Sequence, residues 1–328
     1  MRIDIDAWDP AYGTSVESVG SGSGPGPDSS AQLVTDVEAE PAAWQAMTAP
    51  GDVRAPDVVL LVDGVRRIDA QAWITGEDGA THAGLAASYA AGVVRCDLVR
   101  GVAEVVVTRI ARGLFTSSPT ATDLVAGPVR YPVHRVARDE PSDLSLGVQR
   151  ELAALEKDVS AIARAGAPAE DDLLVVDGPL FGRAKLPRTI GYVKSHRVEY
   201  LPPQLSAVVA GLRPGQRCPV FSLGTSWHRY TWYLRLPGPG GSPWAGIVRA
   251  ECSAELSVPE AIRLADRSVV TLPRFASSPY KDPRAPQNLI PIAGLERRLR
   301  GLLGDSRLLY RALTITARSG ASRAGTAG

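Results

Sequence analysis

The chain has 328 residues, of which 45% are hydrophobic and 22% charged, and its formal net charge is +1. This composition is typical of a globular protein and excludes a globally basic nucleic-acid-binding chain, so any such contact must come from a local patch. The three cysteines are isolated, which excludes a CxxC zinc site and a disulfide framework and favours a reducing, cytoplasmic location. No apolar run approaches the roughly 20 residues of a membrane span, and the N-terminus has no signal-peptide pattern.

Composition divides the chain into three parts. Residues 1–56 have little apolar periodicity and contain a Gly/Ser/Pro-rich linker at 20–30, so we predict a flexible N-terminal arm. Residues 57–317 hold the patterned segments and are predicted to form one domain. Residues 318–328 are small and polar, which predicts a disordered tail.

The first patterned segment is an apolar, β-branched run that begins at Val58 and reaches Asp63 and Gly64. The run predicts a buried strand, and Asp-Gly is a strong hairpin signal, so we expect the chain to turn there and return over residues 67–74. A GEDG turn at 76–79 and two further strands, over 83–94 and 102–110, follow.

A helix is predicted over residues 144–163, because apolar residues recur there at intervals of three and four and Asp143 can cap its start. The next strand reads LLVVDG and delivers Asp177. A further β run, TIGYVK, delivers Lys194.

Three strand-like segments, over 219–223, 229–236 and 244–250, are separated by Gly/Pro-rich turns and predict an antiparallel meander. In the second of them, alternation places Trp232 and Leu234 towards the core and Tyr233 and Arg235 outwards. Helices follow near 259–270, 289–303 and 306–315. The order of elements predicts an α/β fold with a ribonuclease-H-like mixed sheet, flanked by helices and extended by the meander.

Asp63 and Asp177 repeat one pattern, in which an apolar strand ends in Asp-Gly. Two such strand ends at one edge of a sheet would present two oxygen ligands to a hard divalent cation. The alternative is that each aspartate is an ordinary turn residue.

These residues belong to motifs through which the chain resembles the NurA nucleases. Four motifs carry the resemblance, in order: VDG at 62–64, a helix glutamate in QRELAALE at 149–156, DGPL at 177–180 and GYVKS at 191–195. The resemblance implies a ribonuclease-H-like, Mn²⁺-dependent (or Mg²⁺-dependent) DNA nuclease. It further implies a dimer that works with the HerA helicase, a hexameric ATPase, in DNA-end processing or double-strand break repair.

Carried over residue by residue, the resemblance makes Asp63, a helix glutamate and Asp177 the metal ligands. Glu151 is the first choice for the glutamate because it lies towards the N-terminal end of the helix, and Glu156 is the alternative. The two are five residues apart and do not share a helix face, so only one can reach the site. Lys194 is predicted to contact the phosphate.

DNA contact is predicted for Arg284, Arg297 and Arg298, which form a basic C-terminal patch, unless these arginines are an ordinary solvated face. Asp69 and Asp282 are weaker candidates, the first as a turn residue and the second as a loop acid.

The C-terminal segment departs from the family pattern, because Ile290 and Arg298 stand near the positions of its tyrosine and histidine. An arginine cannot act as a metal ligand or a base near neutral pH. This departure motivates an alternative function, a catalytically weak or inactive subunit that binds DNA or the helicase. A third hypothesis is a hydrolase of small phosphoesters that uses the same carboxylates.

Overall fold

The computed structural model describes residues 32–166, 171–195, 200–238 and 241–324, so the linker predicted at 20–30 lies outside the described residues. The strands are β1 (Gln32–Val34), β2 (Val58–Thr75), β3 (Thr81–Asp97), β4 (Val102–Thr116), β5 (Leu124–Ala126), β6 (Val129–Tyr131), β7 (Val133–Arg135), β8 (Asp172–Asp177), β9 (Thr189–Val193), β10 (Phe221–Gly224), β11 (His228–Arg235) and β12 (Ile247–Ser253). The helices are α1 (Pro141–Gly166), α2 (Pro203–Ala210), α3 (Val258–Thr271), α4 (Ile290–Leu302) and α5 (Ser306–Ala324).

Ten strands form one mixed sheet in the order β1-β10-β11-β12-β9-β8-β2-β3-β4-β7, while β5 and β6 form a separate hairpin. Strands β8 and β9 are parallel, whereas β10, β11, β12 and β9 pair antiparallel in succession. The predicted α/β class and the predicted meander are therefore confirmed.

The chain divides into two compact units. The first contains the described residues up to Leu61, together with Val94–Glu104 and Gly166–Ala293, and the second contains Val62–Val93, Val105–Ala165 and the residues from Gly294 onwards. Strands β2, β3 and β4 and helix α4 contribute residues to both units.

The first unit has its core in the central strands. Residues Leu173–Val176 of β8 are fully buried, as expected for a strand covered on both faces, and every residue of β12 is buried. Strand β11 is also covered on both sides, so Tyr233 is buried and the prediction that it faces outwards is wrong. Helix α3 packs on β11 and β12 and begins with a capping box between Ser257 and Glu260.

The N-terminal segment is tied to the first unit. Strand β1 pairs antiparallel with β10, and both oxygens of Glu38 accept hydrogen bonds of 2.7 Å from the Arg217 guanidinium. Arg217 also forms an ion pair with Asp266 at 2.7 Å and is almost completely buried. For the part that the structure describes, residues 32–56 therefore differ from the predicted flexible arm, because a buried charge network holds them.

The second unit packs α1 against the long strands. The apolar stripe predicted for this helix is buried at Leu144, Val148, Leu152 and Val159. Strand β3 supplies small residues, and a Cβ on its Gly92 would lie 3.1 Å from Leu295 of α4 and 3.0 Å from the Val107 carbonyl oxygen. Small residues on β3 therefore permit the close packing of a neighbouring strand and helix.

The hairpin predicted at Asp63–Gly64 is wrong, because β2 runs without interruption from Val58 to Thr75. Gly64 does not form a turn; its lack of a side chain allows α1 to pack closely against β2. A Cβ on Gly64 would lie 2.6 Å from Glu156 Oε1 and 2.7 Å from Leu152 Cδ1. The next turn, at 76–79, is where the sequence predicts it, and Gly79 there has a φ of 78°.

Helix α5 extends to Ala324, so residues 318–324 are helical where the sequence predicts a disordered tail. The three cysteines are free and buried. None of the helices in the described part of the chain is both long and apolar enough to cross a membrane.

Candidate functional site

Two parallel strands end side by side at the candidate site. Asp177 is the last residue of β8, and Lys194 follows the last residue of β9. The Lys194 ammonium donates to Asp177 Oδ2 at 2.5 Å and to Asn288 Oδ1 at 2.9 Å. The structure thus brings together the aspartate and the lysine that the DGPL and GYVKS motifs single out.

A buried amide extends this contact towards the C-terminal motif. Asn288 Nδ2 donates to Asp282 Oδ2 at 2.6 Å, and both residues are buried. Asp282, a weak candidate from sequence, therefore orients the amide whose oxygen receives Lys194. The Tyr192 hydroxyl donates to the Gln287 carbonyl oxygen at 2.6 Å; its burial and, secondarily, the charge of Asp177 raise the pKa of this phenol well above its usual value.

The loop that follows Asp177 is fixed by its glycines. Gly178 has a φ of 101°, which favours glycine, and it exchanges backbone hydrogen bonds of 2.8 and 3.1 Å with Tyr192. A Cβ on Gly191 would lie 2.9 Å from the Leu180 nitrogen and 3.0 Å from the Gly178 carbonyl oxygen. The two motif glycines therefore allow this loop to pass close over β9.

A buried glutamate anchors the same loop. The Leu180 backbone N–H donates to Glu251 Oε1 at 2.7 Å, and Glu251 is fully buried on β12. Its other oxygen, Oε2, lies 3.1 Å from Arg229 Nε and 3.1 Å from Arg249 Nη1. Burial lowers the pKa of Arg229, and the charge of Glu251 acts in the opposite direction. Sequence reasoning missed this residue, although a glutamate within the apolar run of β12 was a signal.

Three carboxylates meet as a group: Asp63, Asp177 and Glu296 each offer an oxygen, and these oxygens lie within 4.8 Å of one another. Asp63 is 8% exposed, and the Asp177 and Glu296 side chains are 10% and 12% exposed. Buried acids this close repel one another unless a cation offsets their charge. Three carboxylate oxygens are a donor set that suits Mg²⁺ or Mn²⁺, so the residues fit a divalent metal.

Glu296 is the member that sequence reasoning missed. It lies on α4, within the C-terminal segment of the family resemblance, and its Oε2 is 3.6 Å from Arg300 Nη2 one turn later. Ile292, Leu295 and Leu299 of the same helix are buried. An acid on a buried apolar stripe is the signal that could have identified it.

The structure does not bring Glu151 to this group. Its Oε1 lies 3.4 Å from His134 Nδ1, and its side chain is 40% exposed. Glu156 instead is buried on the helix face that carries Leu152 and meets Gly64, next to Asp63 in the sequence. Neither Glu151 nor Glu156 is a member of the group formed by Asp63, Asp177 and Glu296, so a ligand role for either helix glutamate stays a prediction.

The remaining predicted residues lie on α4, before it and on β2. Arg297 and Arg298 are exposed on this helix, and Arg284 lies in the preceding segment with its Nε 3.7 Å from Asp282 Oδ1. Asp69 is buried, and its Oδ2 accepts hydrogen bonds from Ser88 and Tyr131, so it belongs to a structural network rather than to a turn.

The mixed sheet and its buried acids define an α/β protein with a cluster of three carboxylates that could bind a divalent metal. The chain belongs to the NurA family, because the model of the NurA domain matches residues 85–297. This membership supports a nuclease. The matched range includes Asp177, Lys194 and Glu296, whereas Asp63 precedes it.

No curated protein matches the chain. Among solved structures, endonuclease V from Bacillus subtilis is 13% identical, and the alignment covers 78% of this chain and 85% of that chain with a TM-score of 0.33. Endonuclease V from Ciona intestinalis, in complex with a 24mer DNA containing an inosine followed by a ribo-adenosine, is 11% identical. That alignment covers 79% of this chain and 91% of that chain with a TM-score of 0.31.

Proposed function

We propose that the protein is a metal-dependent deoxyribonuclease of NurA type that hydrolyses phosphodiester bonds at DNA ends. The observation that carries this proposal is the convergence of carboxylate oxygens from Asp63, Asp177 and Glu296 within 4.8 Å in a chain of the NurA family. The metal is Mn²⁺ or Mg²⁺, since all three ligands are hard oxygen donors.

In this proposal, Asp63, Asp177 and Glu296 hold the metal, and Glu296 supplies the third acid for which the sequence suggested Glu151. Glu296 lies two residues before Arg298, which stands near the position of the family histidine. A glutamate from α4 can provide a ligand that arginine cannot. The bound metal supplies Lewis acidity that offsets phosphate charge and activates water.

The protein's own side chains position the substrate. Lys194 is held between Asp177 and Asn288, so its charge is oriented and can contact a phosphate oxygen without a search through rotamers. Arg284, Arg297 and Arg298 are proposed to contact the DNA backbone, in line with the exposure of the last two on α4.

The family resemblance supports the remaining parts of the proposal. These are a ribonuclease-H-like core, a homodimer, a HerA-type hexameric ATPase as partner, and a role in DNA-end processing or double-strand break repair. A cytoplasmic location is proposed because all three cysteines are free thiols.

The test is degradation of linear DNA by the purified protein with Mn²⁺, by wild type and by Asp63→Asn, Asp177→Asn, Glu296→Gln and Glu151→Gln. We expect each of the first three variants to lose about a hundredfold or more in rate, because each loses a metal ligand. Glu151→Gln should stay within about twofold of wild type, since Glu151 lies outside the carboxylate group. If Glu296→Gln cleaves DNA as fast as wild type while Glu151→Gln loses activity, Glu151 and not Glu296 is the third metal ligand.

A second candidate function is a catalytically inactive subunit that binds DNA or the helicase. It is favoured by one observation, the Ile290 and Arg298 that stand near the positions of the family tyrosine and histidine. This function predicts that wild type and all variants leave DNA intact with Mn²⁺ and a HerA-type partner, while DNA binding persists.

A further inference from the structure

A tight turn that begins at Ser278 holds a tyrosine in solvent. The Lys281 and Asp282 backbone N–H groups donate to the Ser278 carbonyl oxygen at 2.8 and 3.0 Å. Pro279 is the second residue of this turn, a position that its fixed φ favours. Tyr280 is the third residue and is 94% exposed, and Lys281 beside it is also exposed. Hydrogen bonds and a proline therefore fix the backbone from which the phenol ring extends.

A buried acid links this turn to the candidate site. Asp282 follows the turn with 7% of its surface exposed, and its Oδ2 accepts the hydrogen bond of 2.6 Å from Asn288 Nδ2. Asn288 Oδ1 in turn accepts from Lys194, which also donates to Asp177. Three consecutive side-chain hydrogen bonds thus connect the turn with Asp177. Because Tyr280 precedes Asp282 by two residues, their Cα atoms lie within about 7 Å of each other.

Positive charges accompany the exposed ring. Besides Lys281, Arg284 follows the turn, and its backbone N–H donates to Asp282 Oδ1 at 2.8 Å. This combination suits single-stranded nucleic acid, in which a base stacks on an aromatic ring while cations contact the phosphates. A ring that is almost wholly exposed buries little apolar area, so Tyr280 contributes little to folding. In a duplex the neighbouring base pairs cover each base, so an unpaired base is the part of DNA whose face the ring can reach.

We propose that the turn at Ser278–Asp282 binds an unpaired nucleotide of the DNA substrate, with its base stacked on Tyr280 and its phosphate at Lys281. Asp282 holds this subsite at a fixed position relative to Lys194. The inference rests on the proposed function and deepens it, because it names the single-stranded part of a DNA end as the part bound here. Tyr280 touches the base and no reacting atom, so its role is in binding.

The experiment measures binding apart from cleavage, by fluorescence anisotropy of the full chain with a labelled single-stranded oligothymidine in EDTA. Tyr280→Ala should weaken this binding about tenfold, the effect of one stacked base, and should leave a blunt duplex of the same length within about twofold. Tyr280→Phe keeps the ring and should bind as wild type does. Lys281→Gln should reduce the slope of log affinity against log salt by about 0.7, because it removes one phosphate contact.

Tyr310→Ala is the matched control, because Tyr310 is a 59% exposed tyrosine on α5; it should bind oligothymidine as wild type does. Circular dichroism should show the same unfolding midpoint for Tyr280→Ala and wild type. With Mn²⁺, Tyr280→Ala should raise the KM for single-stranded DNA about tenfold and keep kcat within about twofold.

Oligothymidine binding that Tyr280→Ala leaves unchanged overturns the subsite, and so does a Tyr280→Phe variant that binds as weakly as Tyr280→Ala, since stacking needs only the ring. A wild type that binds through Tyr280 but cleaves no DNA with Mn²⁺ overturns the proposed nuclease and leaves the subsite standing. A wild type that cleaves DNA as fast as Tyr280→Ala at low substrate concentration overturns the subsite alone.

Discussion

At the scale of single residues, the loop after Asp177 depends on the lack of a side chain at Gly191. The absent Cβ leaves room for the backbone of Gly178 and Leu180, and Glu251 then receives the Leu180 N–H. Backbone atoms cannot rotate away as the end of a side chain can. The position of Asp177 therefore follows from a glycine on the neighbouring strand.

Gly191→Ala is expected to destabilise the fold by about 1–3 kcal/mol, the range for overpacking a tight site. It should also weaken Mn²⁺ binding, because the displaced loop begins at Asp177. Urea denaturation and a Mn²⁺ titration would measure the two effects. Gly294→Ala is the control: nothing lies within 4 Å of its Cβ and it is within α4, so it should gain about 0.5–1 kcal/mol from helix propensity. Equal stability of both variants would contradict this account of Gly191.

At the scale of elements, the start of α5 has a charged cap. Asp305 Oδ1 accepts the backbone N–H groups of Arg307 at 2.8 Å and Leu308 at 3.0 Å. The backbone bonds from Leu308 and Arg307, in that order, lower the pKa of this carboxyl below its usual value. The stabilisation is therefore complete above the unfolded pKa of about 3.9, and it is lost as pH falls through the lower folded value.

Asp305→Ala is expected to lower the free energy of unfolding at neutral pH and to lose this deficit progressively under acid conditions, where wild type also loses its ionised cap. Urea denaturation at several pH values would show the two curves converge. Asp305→Asn keeps a capping oxygen without a charge, so its stability should stay closer to that of wild type and lack the pH-dependent part. A gap between Asp305→Ala and wild type that does not change with pH would refute the role of ionisation.

Most elements were predictable because their signals are periodic and local. The stripe of α1, the β runs that reach Asp177 and Lys194, and the meander all depend on spacing that sequence displays. The Asp63–Gly64 hairpin failed because a local turn preference was outweighed by the place of β2 between β8 and β3 in the sheet, where it continues as one strand. Glu296 was missed because the apolar stripe of α4 shows that this acid lies on the buried face but not that it lies near Asp63 and Asp177, which are far from it along the chain.

At the scale of the whole molecule, the cluster of three carboxylates connects metal binding with the stability of the fold. The carboxylate oxygens of Asp63, Asp177 and Glu296 lie within 4.8 Å of one another; Lys194 forms an ion pair with Asp177, and Arg300 lies 3.6 Å from Glu296. A cation that binds these acids only in the folded chain stabilises that state, so metal binding and folding are linked.

Mn²⁺ at about a hundred times its dissociation constant is expected to raise the thermal unfolding midpoint by about 5 °C. Glu296→Gln should reduce this Mn²⁺ response, because it removes one of the three acids proposed to hold the metal. Differential scanning calorimetry with and without metal would measure both. Glu255→Gln, at an exposed turn position, should behave as wild type. An unchanged Mn²⁺ response in Glu296→Gln would remove Glu296 from the ligand set.

The contact of Glu38 with Arg217 has a practical consequence for shortened versions of the gene. Trimming to the start of the predicted domain at residue 57 would delete Glu38 and strand β1 and leave a buried guanidinium with Asp266 as its remaining acid. A shortened chain made for crystallisation should therefore start before Gln32, so that it keeps β1 and Glu38. The region that looks dispensable by composition contains part of the minimal folding unit.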